Sequence, residues 1–288
     1  MKKLAFLSTD NLEDFFVYDE LLVPVFAEAG WQVDTVSWHA YQQTDWQQYA
    51  MVIVRSTWDY QQHAQAFIDC LETIASQTRL ENPLALQRWN LDKRYLQDLE
   101  AKDIPVIPTC WQSDFCLAGT QAQFDVFNTD TLVIKPTVSA NADDTFRLTR
   151  HDLQQATSDL EQCFGGRSHM IQPFMPAINE EGEYSLFFFG GTLSHTIVKR
   201  PAPGDFRVQE EHGGSMVLVN AQPEMRAIGD ATLAALPQPA LYARLDLVRH
   251  GSSWAVMEVE LIEPSLYFTL DATSPRRFVE AVLNTLGK

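Results

Sequence analysis

Apolar positions along this chain fall into two periods. KLAFLS, WQVDTVSW and YAMVIVRS are short strand-like runs. DELLVPVFAEAG, which stops at Gly30, and HAQAFIDCLETIAS space their apolar residues by three and four and predict helices. The order β-α-β-β-α in this first part predicts a small open α/β domain with a parallel sheet. No GxGxxG follows the first strand, so a dinucleotide role is not supported.

After a turn at Asn82 and Pro83, Asn90 or Asp92 is a candidate cap for a helix running to about Lys102. IPVIPT is extended, and residues 109–130 are mixed and partly helical. TLVIKP is a strand, SANADDT a polar loop, FRLTR a short strand and HDLQQATSDLEQCF one helix. HMIQPFMP reads as a strand broken by prolines. From Gly182 the pattern turns antiparallel: EYSLFFFGG and TLSHTIVKR meet at Gly190-Gly191 in a tight turn. A polar loop covers 201–214 and MRAIGDATLAALP is a helix. ALYARLDLVRH and SWAVMEVELIEP form a second hairpin at Gly251, before a final helix, SPRRFVEAVLNTLGK.

The length of 288 residues suits about two domains. The 45% hydrophobic content supports sizeable cores, but no apolar run approaches the ~18 residues of a membrane span. At the start, Asp10 arrives before a signal-peptide core can form. The formal net charge of −17 argues against general nucleic-acid binding, which needs an excess of Lys and Arg. Four cysteines without a CxxC pair predict reduced thiols in a cytoplasmic protein.

Against that background the run VMEVELIEPSLYF (256–268) is anomalous, because Glu258, Glu260 and Glu263 interrupt a core-like stretch. Strict alternation puts Met257, Val259 and Leu261 on one face and Val256, Glu258, Glu260 and Ile262 on the other. Arg244 and Asp246 share a face of the preceding strand, so hairpin pairing brings Asp246 near the two glutamates. Three hard oxygen ligands suit Mg²⁺, and Arg244 beside them suits an anion. On spacing alone, a solvated face of alternating charge explains the same pattern. Lys93, Lys135 at the end of TLVIKP, and Lys199 in VKRP are each consistent with ordinary surface lysines. Beside a carboxylate-bound metal they would instead describe a triphosphate held between cations, without a P-loop. In IQPFM, Pro173 offers only a carbonyl and Met175 an N–H, a donor-acceptor pair for a flat base. Glu183 is placed to accept from two hydroxyls, or to cap an ordinary connector.

Taken in order, WNLDK (89–93), VIKP (133–136), IQPFM (171–175), GEYS (182–185), PGDFRVQEEHGG (203–214), ARLDL (243–247) and MEVELIEPS (257–265) resemble the ATP-grasp ligases. That family includes glutathione synthetase, the ribosomal-protein glutamate ligase and D-alanine–D-alanine ligase. The resemblance implies an N-terminal α/β domain over 1–82 and an ATP-grasp domain over 83–288. The latter divides into a small subdomain near 105–172 and an antiparallel-sheet subdomain near 173–288. It implies ATP and two Mg²⁺ ions, with Mn²⁺ as an alternative. Lys93 and Lys135 would bind phosphates. Gln172, Pro173, Phe174 and Met175 would hold adenine over Met257, Glu183 would take the ribose, and Lys199 a phosphate or the ribose side. Asp246, Glu258 and Glu260 would be the metal ligands. Arg207 and Arg244 would steady the transferred phosphoryl group. Gly213, Gly214 and Ser265 would face the substrate.

Two departures stand out. SANADDT lacks the glycines that many relatives use over the phosphates, leaving Ser139, Asn141 and Thr145 as side-chain substitutes. Glu260 replaces the asparagine common at its position. In VRSTWDYQQH (54–63), Arg55 and Asp59 are candidates for a substrate carboxylate and ammonium, or for a structural Arg–Asp pair. The RSTWDY segment resembles those of glutathione-synthetase-like bacterial proteins, among them a ligase type that closes the cycloserine ring. The expected function is an ADP-forming ligase acting on an amino acid or peptide through an acyl-phosphate. A regulatory ATP-binding module and a small-molecule kinase are the alternatives. No nucleic-acid or membrane partner is expected, and the resemblance allows a homodimer.

Overall fold

The structure, a computed structural model, describes residues 2–13, 15–139 and 143–287. Three sheets carry the architecture. The first comprises β1 (Lys2–Ser8), β2 (Trp31–Ser37), β3 (Val52–Ser56) and β4 (Leu80–Glu81), in the order β2-β1-β3-β4. All its pairings are parallel. Helices cross between its strands, α1 (Val23–Glu28) and α2 (Ala64–Gln77). In α2 the buried residues Phe67, Cys70, Leu71 and Ile74 form one stripe at helical spacing.

The second sheet comprises β5 (Cys110–Gln112), β6 (Thr131–Pro136), β7 (Phe146–Thr149) and β8 (His169–Pro173), in the order β5-β8-β6-β7. The third comprises β9 (Glu183–Phe189), β10 (Thr192–Arg200), β11 (Ser215–Val219), β12 (Tyr242–His250) and β13 (Ser253–Glu260), in the order β11-β10-β9-β12-β13. Gly190 and Gly191, at φ +55° and +78°, make the β9-β10 turn with the positive angles that a two-residue hairpin needs. Among the described residues no helix is long and apolar enough to cross a membrane.

Three sequence expectations need correction. The helix expected to run to Lys102 is two, α3 (Leu84–Leu91) and α4 (Tyr95–Glu100). Asn90 caps neither. Its side chain donates to Val259 O (2.7 Å) and accepts from Leu261 N (2.8 Å), which ties α3 to the chain on both sides of Glu260. HDLQQATSDLEQCF also forms two helices, Arg150–Gln155 and Thr157–Phe164. The β-branched Thr157 returns its hydroxyl to Leu153 O (3.0 Å), a local bond that competes with helical continuity.

The third correction is a bulge. In the β12-β13 ladder Asp246 pairs with Glu258 and Leu247 with Val256, so Met257 is the extra residue. Alternation therefore slips there. Val256 packs in one core with Val259 and Leu261, while Met257 packs with Met175 and Ile107. Met257 and the two glutamates consequently line one cavity.

The sheets are joined by buried polar staples. Asn82 is fully buried at the end of β4. Its amide accepts from Leu241 N (2.6 Å) and donates to Tyr242 O (2.9 Å) and Leu261 O (2.7 Å). Asn82→Ala would leave these backbone groups buried without partners, at about 1–3 kcal/mol each. We expect urea unfolding to show a loss of about 3 kcal/mol or more; a change below about 0.5 kcal/mol would contradict this role.

Candidate active site

A cavity of about 220 Å³ lies where the second and third sheets face each other, with one wall from the RSTWDY segment. At its apolar end stand Ile107, Val133, Pro173, Phe174, Met175, Ile178 and Met257. Phe174 N donates to Thr131 O (2.9 Å), and the Arg147 guanidinium lies 3.9 Å from the Phe174 ring centre. Gln172 also lines this end, donating to Thr109 Oγ1 (2.9 Å).

The middle of the cavity is a desolvated charge network. Asp246 sits opposite Ser185 on β9 and Glu258 on β13. It accepts from Ser185 Oγ (2.5 Å), Arg244 Nη2 (2.9 Å) and Lys199 Nζ (3.4 Å). Burial works against its charge, but Arg244 and Lys199 outweigh that and hold the carboxyl down at about 2. Lys199 also pairs with Glu183, directly across the β9-β10 ladder. Arg244 reaches Glu260 as well. Burial pushes the Glu260 carboxyl up to about 7, despite Arg244, with Asp246 and Glu258 adding to the rise. Lys93, between α3 and α4, donates to Glu258 Oε1 (2.5 Å) and Ser139 O (2.9 Å).

Lys135 differs from these cations. It lines the cavity but, among the described residues, forms no ion pair. Burial lowers its pKa against the opposing pull of Glu258, and Lys93 adds to the lowering. An ammonium with no ion-pair partner among the described residues, at a wall it shares with Lys93, is poised for an anionic ligand.

The strand that carries the acids lies at a sheet edge, yet its free side is covered. Tyr95 Oη accepts from Val259 N (2.8 Å), Asn90 holds the groups flanking Glu260, and Ile107 N donates to Val256 O (3.2 Å). These contacts were not foreseen from the sequence, because a cap-like Asn and a helical Tyr carry no signal of which strand they serve.

Of the sequence candidates, the cavity gathers Lys93, Lys135, Gln172, Pro173, Phe174, Met175, Glu183, Lys199, Arg207, Arg244, Asp246, Met257, Glu258, Glu260 and Ser265. Arg207 is joined to Asp205 (2.8 Å) at the rim. Arg55 and Asp59 lie outside this lining. Arg55 is buried against Asp19 (2.9 Å), and Asp59 accepts from Trp38 Nε1 (2.7 Å) and pairs with His39 (2.7 Å). Gly213 and Gly214 also stay off the wall. Gly213 takes φ +77° at the end of a turn, and a Cβ at Gly214 would come 2.1 Å from Val208 O. In the glycine-poor loop, Ser139 and Thr145 line the cavity, Asp144 turns to Arg167 (2.6 Å), and Asn141 is outside the described residues.

The lining carries seven carboxylates (Glu183, Glu210, Glu211, Asp246, Glu258, Glu260, Glu263) against five cations (Lys93, Lys135, Lys199, Arg207, Arg244). Among the described residues no group of three His, Cys, Asp or Glu is preassembled around a common metal position. The donor chemistry nevertheless fits Mg²⁺, which in nucleotide sites uses one or two carboxylates and completes its shell with phosphate and water.

Comparison with known proteins gives a consistent picture. Residues 4–82 match the family model of the N-terminal domain of D-cycloserine synthetase DcsG. The chain is 33% identical over 261 residues to the cycloserine biosynthesis protein DcsG of Streptomyces lavendulae, covering 84% of this chain and 85% of that protein. It superposes on the crystal structure of D-cycloserine synthetase DcsG with a TM-score of 0.87, at 30% identity over 99% of both chains. A RimK domain ATP-grasp protein from Sphaerobacter thermophilus gives a TM-score of 0.72 at 16% identity, covering 96% of this chain and 97% of the other, a likeness of fold alone.

Glu263, the third acid of the run, gives a pH signature. Burial pushes its carboxyl up to about 8, with Glu260 adding to the rise. The folded state therefore holds a proton there that the unfolded chain has released above the ordinary carboxylate range. Stability should fall as pH rises from about 4.5 toward about 8, by up to about 1.4 kcal/mol per pH unit. In Glu263→Gln this component of the slope should vanish in urea titrations; an identical slope in the variant would contradict it.

Proposed function

The chain belongs to the ATP-grasp ligases, in the family of the cycloserine-forming enzyme, and from that premise we propose that it activates a carboxylate as an acyl-phosphate and transfers the acyl group to nitrogen. Lys135, a half-buried cation of the cavity wall that forms no ion pair among the described residues, carries this reading. The substrate class is a small amino acid or a close derivative, in keeping with the related D-cycloserine synthetase.

Met175 N–H, which takes no backbone acceptor among the described residues, and the Pro173 carbonyl face the adenine, with Met257 beneath. Glu183 accepts from the ribose. Lys135 and Lys93 take phosphate oxygens, and Lys199 stands between Glu183 and Asp246 to share charge at their junction. Asp246, Glu258 and Glu260 are the carboxylates for Mg²⁺, two ions in this reading. Bound there, the metal would neutralise phosphate charge and polarise the transferred phosphoryl group. Lys93 pairs with Glu258 and Arg244 with Glu260. Arg244, whose Nη1 also reaches Ser265 O (3.4 Å), holds the acyl-phosphate, with Arg207 at the rim. Most of the catalysis is positioning and charge neutralisation.

The test is phosphate release from ATP–Mg²⁺ over amino acids of both hands, their aminooxy derivatives and dipeptides, with hydroxylamine as an acyl trap. A ligase yields an amide, or a hydroxamate when trapped. A phosphorylated substrate with no hydroxamate would sink the proposal. Glu258→Gln combined with Glu260→Gln should lower turnover by about 100-fold or more while the fold is kept. Lys135→Met should abolish the thermal shift produced by ATP–Mg²⁺; an undiminished shift would remove Lys135 from the phosphate site.

A further inference from the structure

Glu263 lines the cavity beyond the charge network, beside Trp58, Tyr60 and Phe15. Tyr60 hydrogen-bonds its carboxyl. Among the described residues no cation forms an ion pair with it, whereas Glu183, Glu258 and Glu260 each have one. The charged and titratable groups around it are Glu258 and Glu260 on β13, Lys93 between α3 and α4, Tyr60 and Arg55 from the N-terminal wall, and Tyr242 on β12. The two cations are already engaged, Lys93 on Glu258 (2.5 Å) and Arg55 on Asp19 (2.9 Å).

The backbone here is held unusually firmly. Three consecutive carbonyls each accept from a different side chain: Ile262 O from Tyr242 Oη (2.7 Å), Glu263 O from Trp58 Nε1 (2.9 Å) and Pro264 O from Arg55 Nη2 (3.3 Å). Arg55 and Trp58, the centre of the RSTWDY segment, thus serve to fix this loop. They present the Glu263 carboxyl group, which carries its proton until about pH 8 and forms no ion pair with a cation among the described residues. Nearer the nucleotide end, Lys135 is a cation with no ion pair among the described residues. The complement to Glu263 is a positive group brought by the substrate, and the neighbouring aromatic faces also favour one.

We propose that Glu263 receives the nitrogen nucleophile, binding the ammonium group of an amine substrate and taking its proton as the C–N bond forms. This rests on the ligase reading above. One ammonium proton passes to the Glu263 carboxylate and frees the nitrogen lone pair. That pair attacks the acyl-phosphate carbonyl carbon, the C–O bond to phosphorus breaks, and its electrons leave with the phosphate. The second nitrogen proton departs with it as hydrogen phosphate. Tyr60, Trp58 and Arg55 are positioning residues for this step.

Alaninamide is a suitable probe, since it has an ammonium group and no carboxylate to activate. Its thermal shift should be measured with and without AMP-PNP–Mg²⁺, from about pH 6 to about pH 9, against neutral N-acetylalaninamide. We expect alaninamide to stabilise the wild type, the response rising as Glu263 ionises and falling again once the amine, with an α-amino pKa of about 8, loses its own proton, and N-acetylalaninamide to do nothing. Glu263→Gln should weaken the alaninamide response by about tenfold or more and keep the nucleotide response. Tyr60→Phe keeps the ring stack on Phe67 (4.5 Å) but loses the hydrogen bond to the carboxylate, so its response should set in at higher pH. In turnover, Glu263→Gln should lose amide formation and keep hydroxamate formation, because hydroxylamine is already neutral at pH 7. No alaninamide response in the wild type, an equal one in Glu263→Gln, or equal loss of amide and hydroxamate would overturn the assignment. A missing nucleotide response would instead count against the ATP site, and the nucleotide-free arm still reads Glu263.

Discussion

The structure depends on the burial of Asp246 between Arg244, Lys199 and Ser185. Desolvating a carboxylate costs several kcal/mol, recovered only when its partners sit at hydrogen-bond distance. All four residues stand on three adjacent strands of one sheet, β10, β9 and β12, so the ladder register fixes the network. Removing one member strands the others: a broken buried pair typically costs about 3–5 kcal/mol. The same network continues through Arg244 to Glu260, and Glu258 binds Lys93 nearby. Sheet, loop and helix are thereby coupled through charge.

That coupling explains why β13 is so carefully covered. An edge strand carrying two acids would otherwise expose a row of unpaired backbone groups. Asn90, Tyr95 and the segment around Ile107 take those groups, and so lock Glu258 and Glu260 toward the cavity. The N-terminal sheet contributes similarly from the other side, through Asn82, Arg55 and Trp58. Its part in the site is to hold the wall in place. The polar loop of 201–214 is tied in by Tyr18, whose hydroxyl donates to Glu210 Oε2 (2.6 Å).

Much of this was legible in the residues. Aliphatic runs marked the parallel strands, Gly190-Gly191 and Gly251 marked the hairpins, and two glutamates at alternate positions opposite Asp246 marked the acidic face. Local pattern could not show the bulge at Met257. It changes which residues share a face, yet it is set by pairing with β12 rather than by composition. Nor could it separate a substrate-binding Arg55 from one spent on Asp19, since the partner lies 36 residues away in sequence. Asn90 resembled a cap because short polar side chains suit helix ends, and only the tertiary structure shows it serving a strand. Glu263 was visible as a third acid, but that no described cation pairs with it emerges only from the folded positions of Lys93 and Arg55.

In the proposed reading, the charges that line the cavity are arranged for a nucleotide and divalent cations. A crystal structure with AMP-PNP and Mg²⁺ tests it most directly. Triphosphate oxygens are expected on Lys135 and metal density against Asp246, Glu258 and Glu260, with Lys93 drawn from Glu258 to a phosphate. Nucleotide bound elsewhere, with the Lys93–Glu258 and Arg244–Glu260 pairs intact and no metal beside them, would contradict it.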